Sequence, residues 1–303
     1  MTAPLLTVIV LTKDEEANLP SLLASLVRLA AGIFVVDSGS TDRTVEIARA
    51  AGCRVVTNPF VNQAQQLNWA IDNLPIATPW VMRLDADERL TPELVEELRR
   101  VLPTLPEDVT GLYVKRQVWF WGRWIRHGGY YPTWLLRIWR NSCARCEQRW
   151  MDEHMVLLSG RAIRLQHDII DENLKGLTFW TDKHNRYTDR EVKDMLPPTD
   201  GKRQAAYLGD QAGRRRWAKD NLYVRAPLFL RAFIYWFYRY FIRLGFLDGV
   251  PGLVFHFLQG FWYRFLVDAK IHEQRLKAAA RPAAGHRSSV LADSGMSPPG
   301  RAG

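Results

Sequence analysis

Nowhere in the 303 residues does an apolar run reach the roughly 20 positions a helix needs to cross a bilayer. Cysteine is scarce. Cys53, Cys143 and Cys146 are odd in number and form no framework, which excludes a disulfide-stapled fold and suits a reducing compartment. "CARC" (143–146) is a lone CxxC; no second CxxC or HxxxH follows, so four zinc ligands are not at hand and two small apolar side chains are the simpler reading. No signal-peptide core is visible: "LLTVIVL" (5–11) is short and runs straight into "TKDEE", so a cytoplasmic location is expected. No internal repeat is present. Acidic residues are sparse only at one end. Residues 1–200 hold 24 Lys/Arg against 26 Asp/Glu, whereas residues 201–303 hold 17 against 6. That one-sided excess points to an anionic surface, nucleic acid or membrane, as a partner of the C-terminal third.

What is present is a regular alternation. "LLTVIVLT" is a continuous β-branched apolar run, the mark of a strand buried on both faces. "EEANLPSLLASLVRLA" follows with helical spacing. "GIFVVDSGS" is a second strand, and "TDRTVEIARAAG" a helix opened by Ser40, Thr41 and Asp42 and closed by Gly52. "CRVVTN", "NQAQQLNWAIDNL", "PWVMRLDAD" and "TPELVEELRRVLP" continue the order as strand, helix, strand and helix. Such an order predicts an α/β fold with a mainly parallel sheet flanked by helices, and ligands at the carboxyl ends of its strands. Residues 106–190 read as a mixed extension of the sheet followed by a helix from "LKGLTFW" onward. The expected division is a domain over 1–190, its halves 1–105 and 106–190, then an amphipathic helical region over 191–277 and a disordered tail over 278–303.

The helical region is unusual. Its charge-free run from Val250 to Tyr263 is interrupted by Pro251, Gly252, His256 and Gly260. Arg231, Tyr235, Arg239 and Arg243 recur every four residues and predict one basic stripe, with Phe, Trp, Ile and Leu on the other faces. A helix of that kind lies in a membrane interface; the alternative is a helix packed onto the preceding domain.

Three strand ends carry polar residues: Thr12-Lys13-Asp14-Glu15, Asp37-Ser38-Gly39-Ser40 and Asp85-Ala86-Asp87. In a parallel sheet all three face one crevice. The crowding in "DADE" (85–88) demands positive charge, because unpaired carboxylates at that spacing repel. A D-x-D at a strand end suits a divalent cation whose other ligands are phosphate oxygens, since Mg²⁺ uses one or two carboxylates and completes its shell with substrate oxygens. An acidic turn in solvent is the competing reading.

Together "TVIVLTKDEEANLPSLLASL", "GIFVVDSGSTDRTVEIARAAG", "QQLNWAID" and "MRLDADERL" resemble the family 2 glycosyltransferases of GT-A fold, over residues 5 to about 100. The resemblance implies an inverting transferase that uses a nucleotide-sugar donor, UDP above others, with Mg²⁺ or Mn²⁺. It implies that Thr12 and Glu15 lie in the first nucleotide-binding loop, that Asp37 reads the base, that Asp85 lies beside ribose and diphosphate, and that Asp87 ligates the metal, the charge of "DADE" being relieved when donor binds. For Asp37 a turn into the next helix is the alternative. Glu88 is expected to face solvent or cap the following helix. "YYPTWLLRIWRN", "DEHMVLLSG" and "LKGLTFWTDKHNRYT" are similar to bacterial lipopolysaccharide-core and envelope-polysaccharide transferases. That likeness implies Glu153 as the base that deprotonates the acceptor, with Asp152 second. Where such relatives carry a further metal-binding histidine this chain has Asp171, with His167 four residues earlier. Arg137, Arg140, Lys183 and His184 are candidates for diphosphate or acceptor contacts.

The implied partners are a nucleotide-sugar, a lipid-linked or lipopolysaccharide-core glycan acceptor and an anionic membrane surface, on the inner face of a bacterial inner membrane. Two other readings compete. Sugar-phosphate nucleotidyltransferases share the sheet order but open with a glycine-rich loop, and "TKDEEANLP" has no glycine. A membrane-associated nucleic-acid-binding protein would fit the basic C-terminal third, but its aromatics sit in apolar runs and no nucleic-acid motif occurs, so no nucleic-acid partner is expected.

Overall fold

A computed structural model describes residues 5–148, 153–195, 223 and 226–280. The expected alternation forms one half of a nine-stranded sheet. Strands β1 (Leu6–Thr12), β2 (Gly32–Asp37), β3 (Arg54–Thr57) and β4 (Trp80–Asp85) are mutually parallel, in the order β3-β2-β1-β4. Val8, Val10, Val35, Met82 and Leu84 on one face pack under helices α1 (Leu19–Leu26) and α4 (Pro92–Val101). Ile9, Phe34, Val36 and Val81 on the other pack under α3 (Gln63–Asn73). Burial on both faces is why these strands read as continuous apolar runs. Helix α2 (Thr44–Ala50) joins β2 to β3.

Helix α1 begins at Leu19 and not at Glu15, as its spacing suggested. The backbone N–H groups of Glu15 and Glu16 bond instead to Thr44 Oγ1 (2.6 Å) and Asp42 Oδ2 (3.0 Å) across the next loop. Local helix propensity loses to a cross-loop bond. Strand β4 likewise stops at Asp85. "DADE" is a turn into a three-residue strand, β5 (Glu88–Leu90), the outer strand of the sheet.

The second half is mixed, in the order β4-β8-β6-β11-β5. Strand β6 (Val109–Phe120) turns through β7 (Arg123–Trp124), and β8 (Trp134–Arg140) returns antiparallel between β4 and β6. A separate pair, β9 (Ala144–Cys146) and β10 (Met155–Leu157), holds Cys146, with Cys143 in the turn just before β9. Burial pushes the Cys146 thiol up to about 12, and the side chain packs in the core beside Ala144 and Met155. Strand β11 (Arg161–Glu172) runs parallel to β6 and antiparallel to β5.

Helix α5 (Gly176–Met195) crosses the expected boundary at residue 190 without a break. Its Val192 shares a small core with Tyr263, Val267 and Ile271 of the last described helix, α8 (Tyr263–Ala280). Before α8 come α6 (Leu230–Phe237), a π-helical turn to Ile242, and α7 (Gly249–Phe255), which continues as a π-helical segment to Trp262. Among the described residues no single helix is long and apolar enough to span a membrane. The arms Leu230–Ile242 and Gly245–Ala280, bent by 70°, pass that test only together. The tail expected to be disordered lies outside the described residues from 281 onward, and 278–280 are helical.

The arginine stripe is corrected by the structure. Arg231 is buried and its Nε donates to Asp268 Oδ1 (2.8 Å). Arg239 Nε donates to Gly128 O (2.6 Å), and its guanidinium stacks on Tyr130 at 3.6 Å. The Gly128 amide donates to Arg243 O (2.9 Å). Arg231 is thus tied within the helical region, and the side chain of Arg239 and the backbone carbonyl of Arg243 bond the hairpin to the 126–131 loop, with the Arg243 side chain left exposed. Gly128 permits this: a Cβ there would lie 2.1 Å from the buried His256 ring.

Candidate active site

Two loops at the carboxyl edge of the sheet interlock. Thr12 Oγ1 donates to Asp37 Oδ1 (2.9 Å), joining the ends of β1 and β2. Asp14, at φ 53°, donates its N–H to Ser40 Oγ (2.8 Å), and Thr41 N–H returns a bond to Asp14 Oδ1 (2.7 Å). Asp37 is 2% exposed. Its Oδ2 accepts from the amides of Gly39 and Ser40, both at 2.8 Å, and Oδ1 from Ser40 Oγ as well as Thr12. Four donors fill about the four acceptor positions of a carboxylate. In this state Asp37 holds the turn, and Thr12 holds Asp37.

Glu15 faces away from that turn. Lys175 Nζ lies 2.7 Å from its Oε1 and Asn18 Nδ2 donates to its Oε2 (2.7 Å). Burial raises the Glu15 carboxyl, and Lys175 and Asn18 oppose the rise. The loop ahead of α5 is thereby tied to the β1 loop.

The "DADE" turn is already neutralised by the chain's own cations. Asp85 Oδ1 accepts from Arg83 Nη2 (3.1 Å) and Gln63 Nε2 (3.1 Å), and its Oδ2 from Arg137 Nη2 (3.1 Å). Burial alone would raise the Asp85 carboxyl, but Arg83 and Arg137 overcome it and hold it far below the usual range. Glu88 is not at the surface. It is 1% exposed, pairs with Arg137, and accepts from the Asp85 amide (3.0 Å). Burial pushes Glu88 up to about 7, Arg137 opposes this, and the charges of Asp85 and Asp171 add to it. Glu88 is buried because it opens β5 opposite Asp171 of β11.

That pairing also brings in Asp171. Glu172 N–H donates to Asp87 O (2.9 Å), so the end of β11 lies against the D-x-D. Asp171 pairs with Arg116 (3.3 Å). Burial raises its carboxyl to about 6 against Arg116, and the neighbouring Asp87 raises it further. Asp87 accepts from Asn173 Nδ2 (3.0 Å) and faces Lys183 Nζ at 3.5 Å, both on Oδ2. Burial would lower the Lys183 ammonium, but Asp87 and its neighbours hold it above the ordinary range.

Glu153 closes the other side. Its Oε1 is 3.8 Å from Arg83 Nη2, and it lines a small cavity with Arg83, Tyr113, Trp134, Arg137 and His154. Asp152 lies outside the described residues. His167 is not in the cluster: its Nδ1 is 2.8 Å from Glu97 of α4. Arg140 sits at the opposite end of the sheet, where it bonds to Val109 O (2.9 Å) and stacks on Trp80, so it is no ligand contact. His184 stacks on Trp180 at 3.5 Å, and burial lowers its imidazole to about 4.

Arg83, Gln63, Arg116, Asn173 and Lys175 had not been singled out as site residues. Arg83 carried a signal. It stands two positions before Asp85 in an apolar strand, and a period of two puts both on one face. The others are assembled by pairings that no local pattern encodes.

A family model described as "Glycosyl transferase family 2" matches residues 7–172. A lipopolysaccharide core biosynthesis glycosyltransferase, LpsC, of Rhizobium meliloti is 34% identical over 125 residues, which is 39% of this chain and 44% of that protein. An uncharacterized glycosyltransferase of Rickettsia bellii is 33% identical over 99 residues, 33% of each chain. The match thus spans about a third of the Rickettsia protein and under half of LpsC. Among solved structures, glucosyl-3-phosphoglycerate synthase of Mycobacterium tuberculosis is similar at 25% identity and a TM-score of 0.31, over 39% of this chain and 45% of that one.

Proposed function

The chain belongs to glycosyl transferase family 2, and from that premise we propose that it moves a sugar from a nucleotide-diphosphate donor, UDP-linked above others, to a glycan acceptor, with inversion at the anomeric carbon. The observation that carries this reading is the convergence of Asp87, Asp171 and Lys183 beside the interlocked β1 and β2 loops, at the carboxyl edge where an α/β sheet binds ligands. Thr12 and Asp37 shape the loop that receives the nucleoside. Asp37 exchanges one of its loop bonds for the base.

The residues suit a divalent ion. Among the described residues no three His, Cys, Asp or Glu side chains converge to hold one alone. Asp87, with both of its named contacts on Oδ2, fits an ion that shares its shell with diphosphate oxygens. Asp87 would hold Mg²⁺ or Mn²⁺, with Asp85 and Asp171 adjacent. The ion would supply Lewis-acid neutralisation of the departing diphosphate. Lys183 lends its positive charge to the same oxygens.

On the opposite side, Glu153 takes the proton of the acceptor hydroxyl as that oxygen bonds to the anomeric carbon and the carbon–phosphate oxygen bond breaks. The electron pair leaves with the diphosphate, and the proton stays on the Glu153 carboxylate. Arg83 reaches both Asp85 and Glu153 and fixes the base relative to the donor end.

The relative named for lipopolysaccharide core biosynthesis supports an envelope acceptor, either lipid-linked or a lipopolysaccharide core. We place the enzyme peripherally on the inner face of the bacterial inner membrane, where such acceptors are built. Calorimetric titration of UDP-sugars with Mn²⁺ and with EDTA tests the donor half. Metal-dependent binding that is lost in Asp87→Ala supports the reading, and absence of any nucleotide-sugar binding refutes it.

A further inference from the structure

The inward turn of Arg231 and Arg239 leaves the opposite question: what lies on the outside of the C-terminal hairpin? On the first arm Leu230, Phe233, Ile234, Phe237 and Phe241 recur at intervals of three and four, so they share one helix face, and all are exposed. On the second arm Phe246, Val250, Leu253 and Phe257 repeat the pattern. Fourteen large apolar side chains between Leu230 and Phe265 are at least 40% exposed. Their exposed area is on the order of 1,000 Å², against a few hundred for the apolar patch of an ordinary monomer.

We propose that this face is inserted into the acyl region of one leaflet of a lipid bilayer, as a two-armed wedge held by apolar contact and not by charge. Three observations select lipid as the occupant. First, between Leu230 and Trp262 the charged side chains are Arg231, Arg239, Arg243 and Asp248. Arg231 and Asp248 are buried, Arg239 bonds to Gly128, and of the four only Arg243 is exposed, its Nη1 3.4 Å from the Tyr238 hydroxyl. The exposed arms therefore present almost no charge for a polar partner to read. Second, the arms are bent by 70°, and neither is long and apolar enough to cross alone. The pair passes the length-and-apolarity test only together, and with its bend and its single exposed apolar face it fits a seat in one leaflet, apolar face down. Third, the face is continuous with the catalytic edge. Arg123 Nη2 reaches Leu247 O (3.4 Å), and exposed Trp121 follows β6, whose Trp119 pairs with Glu172 next to Asp87. Seating the hairpin in a leaflet brings the D-x-D edge down to the membrane plane, where a lipid-borne acceptor presents its sugar.

The inference rests on the membrane placement proposed above, but not on sugar transfer. It also changes the part expected of the arginines: Arg231 braces the two arms through Asp268, Arg239 bonds the wedge to the sheet domain, and the apolar side chains meet the lipid.

Flotation of the full chain with vesicles of phosphatidylcholine alone, and of phosphatidylcholine with phosphatidylglycerol, at 0.1 M and about 1 M NaCl tests it, because screening at the higher salt removes surface charge attraction. The expected result is flotation with neutral vesicles that persists at high salt. Phe237→Glu with Phe241→Glu should weaken it at least tenfold while UDP binding is kept; Ile234→Ser with Val250→Ser serves if the first pair does not fold. Binding only to anionic vesicles, released by salt, would overturn insertion yet leave a membrane location standing. No binding to either vesicle would overturn both. A stable dimer by light scattering, with no vesicle binding and the dimer lost in the same variants, would assign the face to a second copy instead.

Discussion

Lys183 places its ammonium 3.5 Å from Oδ2 of Asp87, although the two stand on opposite sides of the sheet's mixed half in sequence. Helix α5 thus delivers a cation to the D-x-D before any donor arrives. A charge held beside the point where negative charge develops needs no reorganisation during the reaction, which is where such groups gain their effect.

If Lys183 faces the leaving diphosphate as proposed, Lys183→Met should lower kcat by about 10²-fold, more than it raises KM for the donor, because such a group acts mostly in the transition state. Lys183→Arg should restore part of the loss. Steady-state release of nucleoside diphosphate measures both. Equal activity of Lys183→Met and the parent would remove this lysine from the reaction.

The buried Arg137–Glu88 pair sets a stability expectation. Arg137→Met leaves Glu88 in the interior without its cation, and should cost about 3–5 kcal/mol in urea unfolding. Adding Glu88→Gln should recover the part of that cost that comes from burying Glu88, while Asp85 loses Arg137 in both variants and keeps Arg83. If the double variant is as unstable as the single one, the loss comes from packing or from Asp85 and not from the Glu88 charge.

Asp171 sets a pH expectation. Its folded carboxyl titrates at about 6, above the 3.8 of the free side chain. Between those values the folded chain binds more protons than the unfolded one, so Asp171 makes folding less favourable as pH rises through that window. Asp171→Asn lacks the charge. Its stability relative to the parent, without metal or donor, should rise by on the order of 1–2 kcal/mol between about pH 4 and pH 6 and then level off. Denaturant titrations of both proteins at several pH values test this; parallel curves would contradict it.

Thr12→Val keeps the shape of the side chain and removes the donor to Asp37 Oδ1. Both residues are buried, so the change should cost about 1–3 kcal/mol and loosen the loop proposed to receive the nucleoside. Thermal unfolding and UDP titration should shift together. Weaker UDP binding at unchanged stability would mean that Thr12 touches the nucleotide directly.

The parallel half of the sheet was legible because a strand buried on both faces writes itself as an unbroken apolar run, as β1, β2 and β4 do. The convergence of three polar strand ends followed from that topology alone. What was not legible depends on long-range pairing. Glu88 looked like a surface acid because nothing nearby in sequence says that β5 pairs with β11, eighty residues on. The same pairing seats Asp171. Helical spacing predicts one arginine stripe but does not say what each member meets: Asp268 takes Arg231, Tyr130 and Gly128 take Arg239, and the Arg243 side chain stays exposed beyond a π-helical turn.

On the proposed mechanism, Glu153 and Asp87 act on opposite sides of one sugar-transfer event. The most direct test is donor-dependent transfer to a lipopolysaccharide or lipid extract by the parent, Asp87→Ala and Glu153→Gln, with donor binding measured on the same preparations. Glu153→Gln should bind donor like the parent and transfer at least 10²-fold more slowly, in line with removal of a general base, and Asp87→Ala should lose metal-dependent donor binding as well. Transfer by Glu153→Gln at the parental rate, or transfer by Asp87→Ala that is indifferent to EDTA, would contradict it.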